Sequence, residues 1–306
     1  MRHQIKVGVL ISGGGSNLRA IFEACQTRKI DARVAFVGSD NPEVSGLERA
    51  RKRRVPTFVV DYKAIQVQYS QHRQQMTLPA DCNWKRLLKF QRLRPADTPH
   101  EALEAFFIPR LMAEARLLAY LRQQPFDLLV LAGFMRTLTP YIIDGINLDP
   151  HQPRIMNIHP ALLPAFPGVD GYGDTFRYGC RVGGCTVHFV DYGEDTGPII
   201  GQRAFRIDPG DSLETVRQRG LALEWELYPE CIQLFAENRL RVIRKEYPLR
   251  GGRMVSRRVV EFVPRVYQKV IERGAVACGR SDRLEHQGDG HKGTHGAADI
   301  GKNDHQ

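Results

Sequence analysis

The chain has 306 residues, 42% of them hydrophobic and 25% charged, and a formal net charge of +10. That leaves room for one large α/β domain or two small ones, with enough apolar content for a sizeable core. It excludes a membrane-spanning chain, because no apolar run approaches the roughly 20 residues that a transmembrane helix needs.

Six cysteines, Cys25, Cys82, Cys180, Cys185, Cys231 and Cys278, are scattered without a CxxC pair or zinc-finger spacing. Reduced thiols and no structural metal are expected. Met1-Arg2-His3-Gln4-Ile5 runs straight into a strand-like segment with no signal-peptide layout, so the expected location is cytoplasmic. The positive excess is spread along the chain, with one cluster from Arg49 to Arg54 and another from Arg239 to Arg273. No aromatic residues interleave with the first cluster. It reads as the solvated end of a helix rather than a nucleic-acid patch, and the overall balance suits a small phosphorylated or polyglutamate-tailed substrate.

Ile5 to Ile11 (IKVGVLI) is rich in β-branched residues and reads as a buried strand. A glycine turn at Gly13-Gly14-Gly15 follows, with Ser16 as N-cap of a helix to about Arg28. Ala32 to Val37 is a second strand, Val44 to Arg54 a helix in which Gly46 is tolerated, and Thr57 to Val60 a third strand. This βαβαβ opening predicts a Rossmann-like, doubly wound, mostly parallel sheet.

Residues 61–106 are rich in Gln, Arg and Lys and read as an insertion at the sheet edge with some helix of its own. Pro109 to Gln123 has amphipathic spacing for a helix. Phe126 to Ala132 is a central strand, and Arg154 to Asn157 is the next, with His159 in the loop at its carboxyl end. Gly184 to Val190 and Pro198 to Phe205 are strands joined by the loop 191–197. Ser212 to Asn238 is a long helix capped by Asp211 or Ser212. The catalytic domain is expected to span 1–245. Residues 246–277 form a basic extension, with a helix expected over Val255–Arg273. The apolar-poor tail 278–306, with its histidines, reads as solvated and disordered.

Asn157-Ile158-His159-Pro160 and Asp195-Thr196-Gly197-Pro198 carry the chemistry. In an extended segment positions i and i+2 share a face, so the Asn157 amide and the His159 imidazole can reach one point. An amide N–H and a protonatable ring are what a developing oxyanion and a moving proton require. A carboxylate from the second loop would favour the charged form of such a ring. Asp191, Glu194 and Asp195 all lie in that loop. His188, on a strand, reads as a packed or supporting residue. The glycine loop can present backbone N–H groups to a phosphate, but it lacks both a complete GxGxxG and a Gly-Lys-Ser/Thr.

Taken together, the segments VLISGGGSNLRAI (9–21), GLERARKRRVPT (46–57), LVLAGFMRTLTP (129–140), MNIHPALLPAFPG (156–168) and TVHFVDYGEDTGPIIGQ (186–202), then GDSLETV with Glu224, resemble the folate-dependent phosphoribosylglycinamide formyltransferase family over most of 5–245. The resemblance implies a formyltransferase fold. It also implies 10-formyltetrahydrofolate as co-substrate rather than a resident cofactor, small-molecule partners only, and a monomer or homodimer. Asn157, His159 and Asp195 would be catalytic. Gly15, Ser16 and Asn17 would hold the substrate phosphate, and Glu224 the ribose. Arg110, Met135, Arg136, Thr137 and Leu138 would line the folate pocket with Ile143 nearby. No metal is implied.

The stretch Val169–Cys180 departs from the family, where a histidine-bearing segment leading into a short helix is expected. That keeps other readings open: a formyltetrahydrofolate hydrolase, a formyltransferase for another amine, or a folate- or nucleotide-binding protein without activity. A hydrolase would carry an N-terminal regulatory domain for which 1–11 leaves no room. A tRNA formyltransferase would carry a larger C-terminal domain than 246–306 provides.

Overall fold

The protein is described as a computed structural model over residues 4–264. Seven strands form the central sheet in the order β3-β2-β1-β4-β5-β6-β7: β1 Ile5–Ile11, β2 Ala32–Ser39, β3 Thr57–Val59, β4 Leu128–Leu131, β5 Ile155–His159, β6 Val182–Phe189 and β7 Ile199–Arg206. The first five run parallel, and β6 and β7 turn antiparallel. The doubly wound sheet anticipated from the sequence is therefore present, and the reversal occurs beside β5.

Alternation along the strands sorts side chains onto two faces. Val7, Val9, Leu128, Val130, Met156 and Ile158 pack on one, beneath α1 (Ser16–Gln26), α2 (Ser45–Lys52) and α8 (Leu213–Ala236). Leu10, Leu129, Leu131 and Ile155 pack on the other, against α3 (Tyr62–Gln71), α5 (His100–Arg122) and α6 (Pro140–Ile146). The chain segment 61–106 thus contributes to the core, because Ile65, Tyr69 and Met76 are buried there. The short α4 (Trp84–Phe90) supplies Leu87 to a satellite cluster with Phe107 and Leu111 of α5.

Several boundaries differ from expectation, each for a local reason. α5 starts nine residues before Pro109, at His100. Proline removes one ladder hydrogen bond, but Phe107 and Leu111 are fully buried on either side of it, and that packing holds the turn. Gly15, not Ser16, occupies the N-cap of α1 in left-handed backbone (φ 69°), with no side-chain cap. The helix expected over Val255–Arg273 is instead a strand as far as it is described: β9 (Met254–Phe262) pairs antiparallel with β8 (Leu240–Pro248) around a Gly251-Gly252 turn. Val255, Val259 and Val260 are β-branched, and Val260 pairs with the buried Val242 and packs on the core cluster that contains it. The remainder of that expectation, and the tail 278–306, lie outside the described residues.

Ser212 caps α8, its hydroxyl accepting from the Thr215 amide at 3.1 Å. Among the described residues no helix is long and apolar enough to cross a membrane. Cys25, Cys82, Cys180, Cys185 and Cys231 are unpaired.

Gly46 proves to be required rather than tolerated. A Cβ there would lie 2.4 Å from Ile11 Cδ1 and 2.8 Å from the Gly13 carbonyl, so its absence is what lets α2 close on the glycine loop. Gly46→Ala is expected to cost about 1–3 kcal/mol in urea unfolding; a variant as stable as its parent would show that α2 can shift freely.

Candidate active site

The site forms where the carboxyl ends of the parallel strands open into loops. Asn157 and His159 project from β5 on one face, two residues apart. The antiparallel register places His188 of β6 directly opposite Asn157. The β6–β7 loop returns Asp195 to the same point, in left-handed backbone (φ 52°).

Asp195 Oδ2 lies 3.1 Å from His159 Nδ1 and accepts the Gly168 amide at 2.9 Å. Its Oδ1 lies 3.5 Å from both His188 Nε2 and Asn157 Nδ2. Asn157 Nδ2 and His188 Nε2 are 3.3 Å apart, and His188 Nδ1 is 2.9 Å from the Phe189 carbonyl. The Asp195 side chain is only 11% exposed and His159 3%. Burial alone would raise the Asp195 carboxyl. The His188 hydrogen bond, the Gly168 N–H and the charges of both histidines outweigh it and hold the group below its usual range.

His159 Nε2 sits 2.7 Å from the Phe166 carbonyl. Both ring nitrogens therefore face oxygen acceptors, and only the imidazolium donates at both. The segment carrying Phe166 is held from below by buried Thr186. The Thr186 hydroxyl donates to Ala161 O at 2.7 Å and accepts from the Leu163 amide at 3.0 Å and from Gln202 Nε2 at 2.9 Å.

These residues floor a cleft with a cavity of about 230 Å³, walled by Phe134, Met135, Arg136, Thr137 and Leu138 from the β4–α6 loop and by Val190 and Gly193. Arg110 does not reach it. It lines an adjoining pocket that shares Met135, Arg136 and Thr137, and its guanidinium lies over the Phe106 ring at 3.7 Å. Met135 is 66% exposed. Arg136 is tied to the buried Asp40 at 2.5 Å. Ile143 is buried in the second core face and supports the wall from behind.

The glycine loop joins the same end of the sheet without lining this cavity. Ser12 N donates to Gly133 O at 3.0 Å, and Ser12 Oγ accepts from the Met135 amide at 2.8 Å. Asn17 is buried, and its Nδ2 donates to Glu224 Oε2 at 2.6 Å. Glu224 Oε1 accepts from Tyr172 Oη at 2.7 Å. Glu224, expected at the ribose, is 4% exposed, and each of its carboxylate oxygens accepts one of these hydrogen bonds. Burial raises its pKa, against the pull of the Asn17 and Tyr172 donors. The departing stretch 169–180 contains a short helix, α7 (Gly171–Arg177), capped by Asp170.

The pattern of this chain is that of the formyl transferase family, whose match covers residues 5–232. The chain belongs to that family. It is 35% identical over 228 residues to phosphoribosylglycinamide formyltransferase of Bacillus subtilis, covering 74% of this chain and 93% of that one. It is 32% identical over 240 residues to the trifunctional purine biosynthetic protein adenosine-3 of Gallus gallus, covering 78% of this chain and 19% of that one. The crystal structure of glycinamide ribonucleotide transformylase 1 from Symbiobacterium toebii superposes with a TM-score of 0.59 at 35% identity, over 86% of this chain and 96% of that one. The match thus spans most of the single-function relative and about a fifth of the trifunctional one.

Sequence reasoning gave His188 only a packed or supporting role and did not single out Asp40 or Glu114. The place of His188 opposite Asn157 follows from the register of β5 and β6, which no local pattern shows. Asp40 directly follows β2, and its pairing with Arg136 across 96 positions left no local signal. Glu114 gave no signal. It is fully buried on α5, and it accepts both the Thr139 amide, at 2.7 Å, and the Thr139 hydroxyl, which itself caps α6. Burial pushes its carboxyl up to about 8, opposed by the Thr139 hydrogen bonds and Arg110.

A carboxyl raised on folding binds its proton more tightly in the native chain. Its contribution to stability is full below pH 4.5 and is lost as pH rises through 8. Denaturant unfolding of the parent and Glu114→Gln between pH 5 and 9 should show the parent losing ground to the variant as pH rises. Parallel pH profiles would disprove the assignment.

Proposed function

We propose that this formyl transferase moves the formyl group of 10-formyltetrahydrofolate to the amine of phosphoribosylglycinamide, a step of purine biosynthesis. The observation that carries the reading is the convergence of Asn157, His159 and Asp195 at the floor of a cleft walled by residues 134–138. The names and coverage of the relatives support the acceptor.

In this mechanism the neutral amine nitrogen adds to the formyl carbon, and the carbonyl π electrons move onto oxygen. Asn157 Nδ2 and the protonated His159 stabilise that oxyanion as it forms. In the arrangement described, both His159 nitrogens are already engaged. His159 therefore reaches the oxyanion by exchanging the Phe166 carbonyl for it at Nε2, while Asp195 stays on Nδ1 and holds the ring. The amine then gives up a proton, and Asp195 assists its passage through water toward N10 of the folate. Collapse of the oxyanion breaks the C–N10 bond, and protonated N10 leaves as tetrahydrofolate. The pteridine end lies in the main cleft, and the tail runs over Met135–Thr137 toward Arg110. The acceptor phosphate meets the N-terminal turn of α1, where Gly15, Ser16 and Asn17 offer N–H groups without a side-chain cap.

Folate release from 10-formyltetrahydrofolate, with and without phosphoribosylglycinamide, tests this directly. Release should require the nucleotide, and Asn157→Ala and His159→Ala should each lower kcat by about 100-fold or more. Release without nucleotide would make the protein a hydrolase, and no release in either case would mean a different acceptor.

A further inference from the structure

Tyr172 belongs to the stretch that departs from the family pattern, yet it is among the most thoroughly built-in residues near the site. It is 5% exposed. Its ring fills a slot on α8 that exists because residue 220 is glycine: a Cβ there would lie 2.2 Å from Tyr172 Cζ and 2.4 Å from its hydroxyl. One helical turn further on, Glu224 accepts the tyrosine hydroxyl at 2.7 Å on one oxygen and Asn17 Nδ2 at 2.6 Å on the other. Asn17 stands in the first turn of α1, directly after the glycine loop. Its Oδ1 is buried and has no hydrogen-bond partner. A buried acceptor left unpaired destabilises the fold unless something donates to it.

The start of α7 is anchored independently of Tyr172. Asp170 accepts from Arg177 at 2.8 Å and from Arg217 of α8 at 3.0 Å. The Tyr172 hydroxyl is therefore not needed to hold its own helix in place, and its hydrogen bond acts at the far end, on Glu224. With one carboxylate oxygen taken by tyrosine, the other is left to fix the Asn17 amide. That orients the NH2 toward Glu224 and leaves the carbonyl for a donor.

We infer that Tyr172 is a positioning residue for the acceptor substrate. Through Glu224 it sets the Asn17 side chain, so that the loop after β1 presents first-turn N–H groups to the anion and the Asn17 carbonyl to a hydroxyl or N–H of the same molecule. The inference rests on the reading of residues 13–17 as the acceptor's binding loop.

Tyr172→Phe keeps the ring in its slot and removes only the hydroxyl. Steady-state kinetics with phosphoribosylglycinamide and 10-formyltetrahydrofolate should show KM for the nucleotide rising about tenfold or more, as loss of a hydrogen bond to a charged group implies. KM for the folate and kcat should stay within about twofold. In a Glu224→Gln background the same substitution should add little, because the route is already broken. An unchanged nucleotide KM, or full additivity of the two substitutions, would overturn the inference.

If the parent enzyme formylates no phosphoribosylglycinamide, the functional reading fails, and the positioning claim is judged on the ligand-free protein instead. The Asn17 side-chain NH2 resonances should shift in Tyr172→Phe, and resonances that stay put would refute it whatever the acceptor.

Discussion

Asp195 is a carboxylate taken largely out of water, and the architecture around the cleft is what makes that tolerable. An ionised carboxyl in such a place needs donors on both oxygens. His159 and the Gly168 amide attend one oxygen, and His188 and Asn157 the other. Those four donors come from β5, β6 and the 160–168 loop, so satisfying one charge places three separate pieces of chain relative to one another. The loop is in turn held by Thr186 and Gln202 from β6 and β7. The antiparallel turn of the sheet after β5 is therefore part of the chemistry, since a parallel β6 would not set His188 against Asn157.

The parallel half of the sheet contributes differently. Its loops all leave at one end, where open α/β sheets bind their ligands. The loop after β1 and the loop after β4 each need support from behind. Gly46 lets α2 approach the first, and Glu114 with Thr139 secures the end of the second. These supports lie beneath the surfaces that face a ligand.

Much of this was legible from local pattern. β-branched runs marked the strands. The i, i+2 spacing put Asn157 and His159 on one face, and the single Asp in a D-x-G-P setting is the one beside His159. Asp191 instead accepts from Thr196 and Gly193 within its own loop. What stayed hidden was long-range. The start of α5 was masked by Pro109, whose cost is offset by burial of Phe107 and Leu111. A helix was expected from Val255 on, and only the pairing with β8 makes that stretch a strand. Glu224 meets Tyr172 and Asn17 across 52 and 207 positions of chain, and no spacing rule reaches that far. Nor does any local signal show that Gly46 faces a neighbouring backbone.

The two hydrogen bonds of Ser12 join the loop after β1 to the loop after β4. Two ligands seated on loops that share such a bond are coupled to the extent that each one shifts it. If the first shifts the joint so as to favour the second by some factor, the second favours the first by the same factor. A serine that touches neither reacting atom would thus make binding order a matter of rates alone, while the affinity gained is held in common by both occupants.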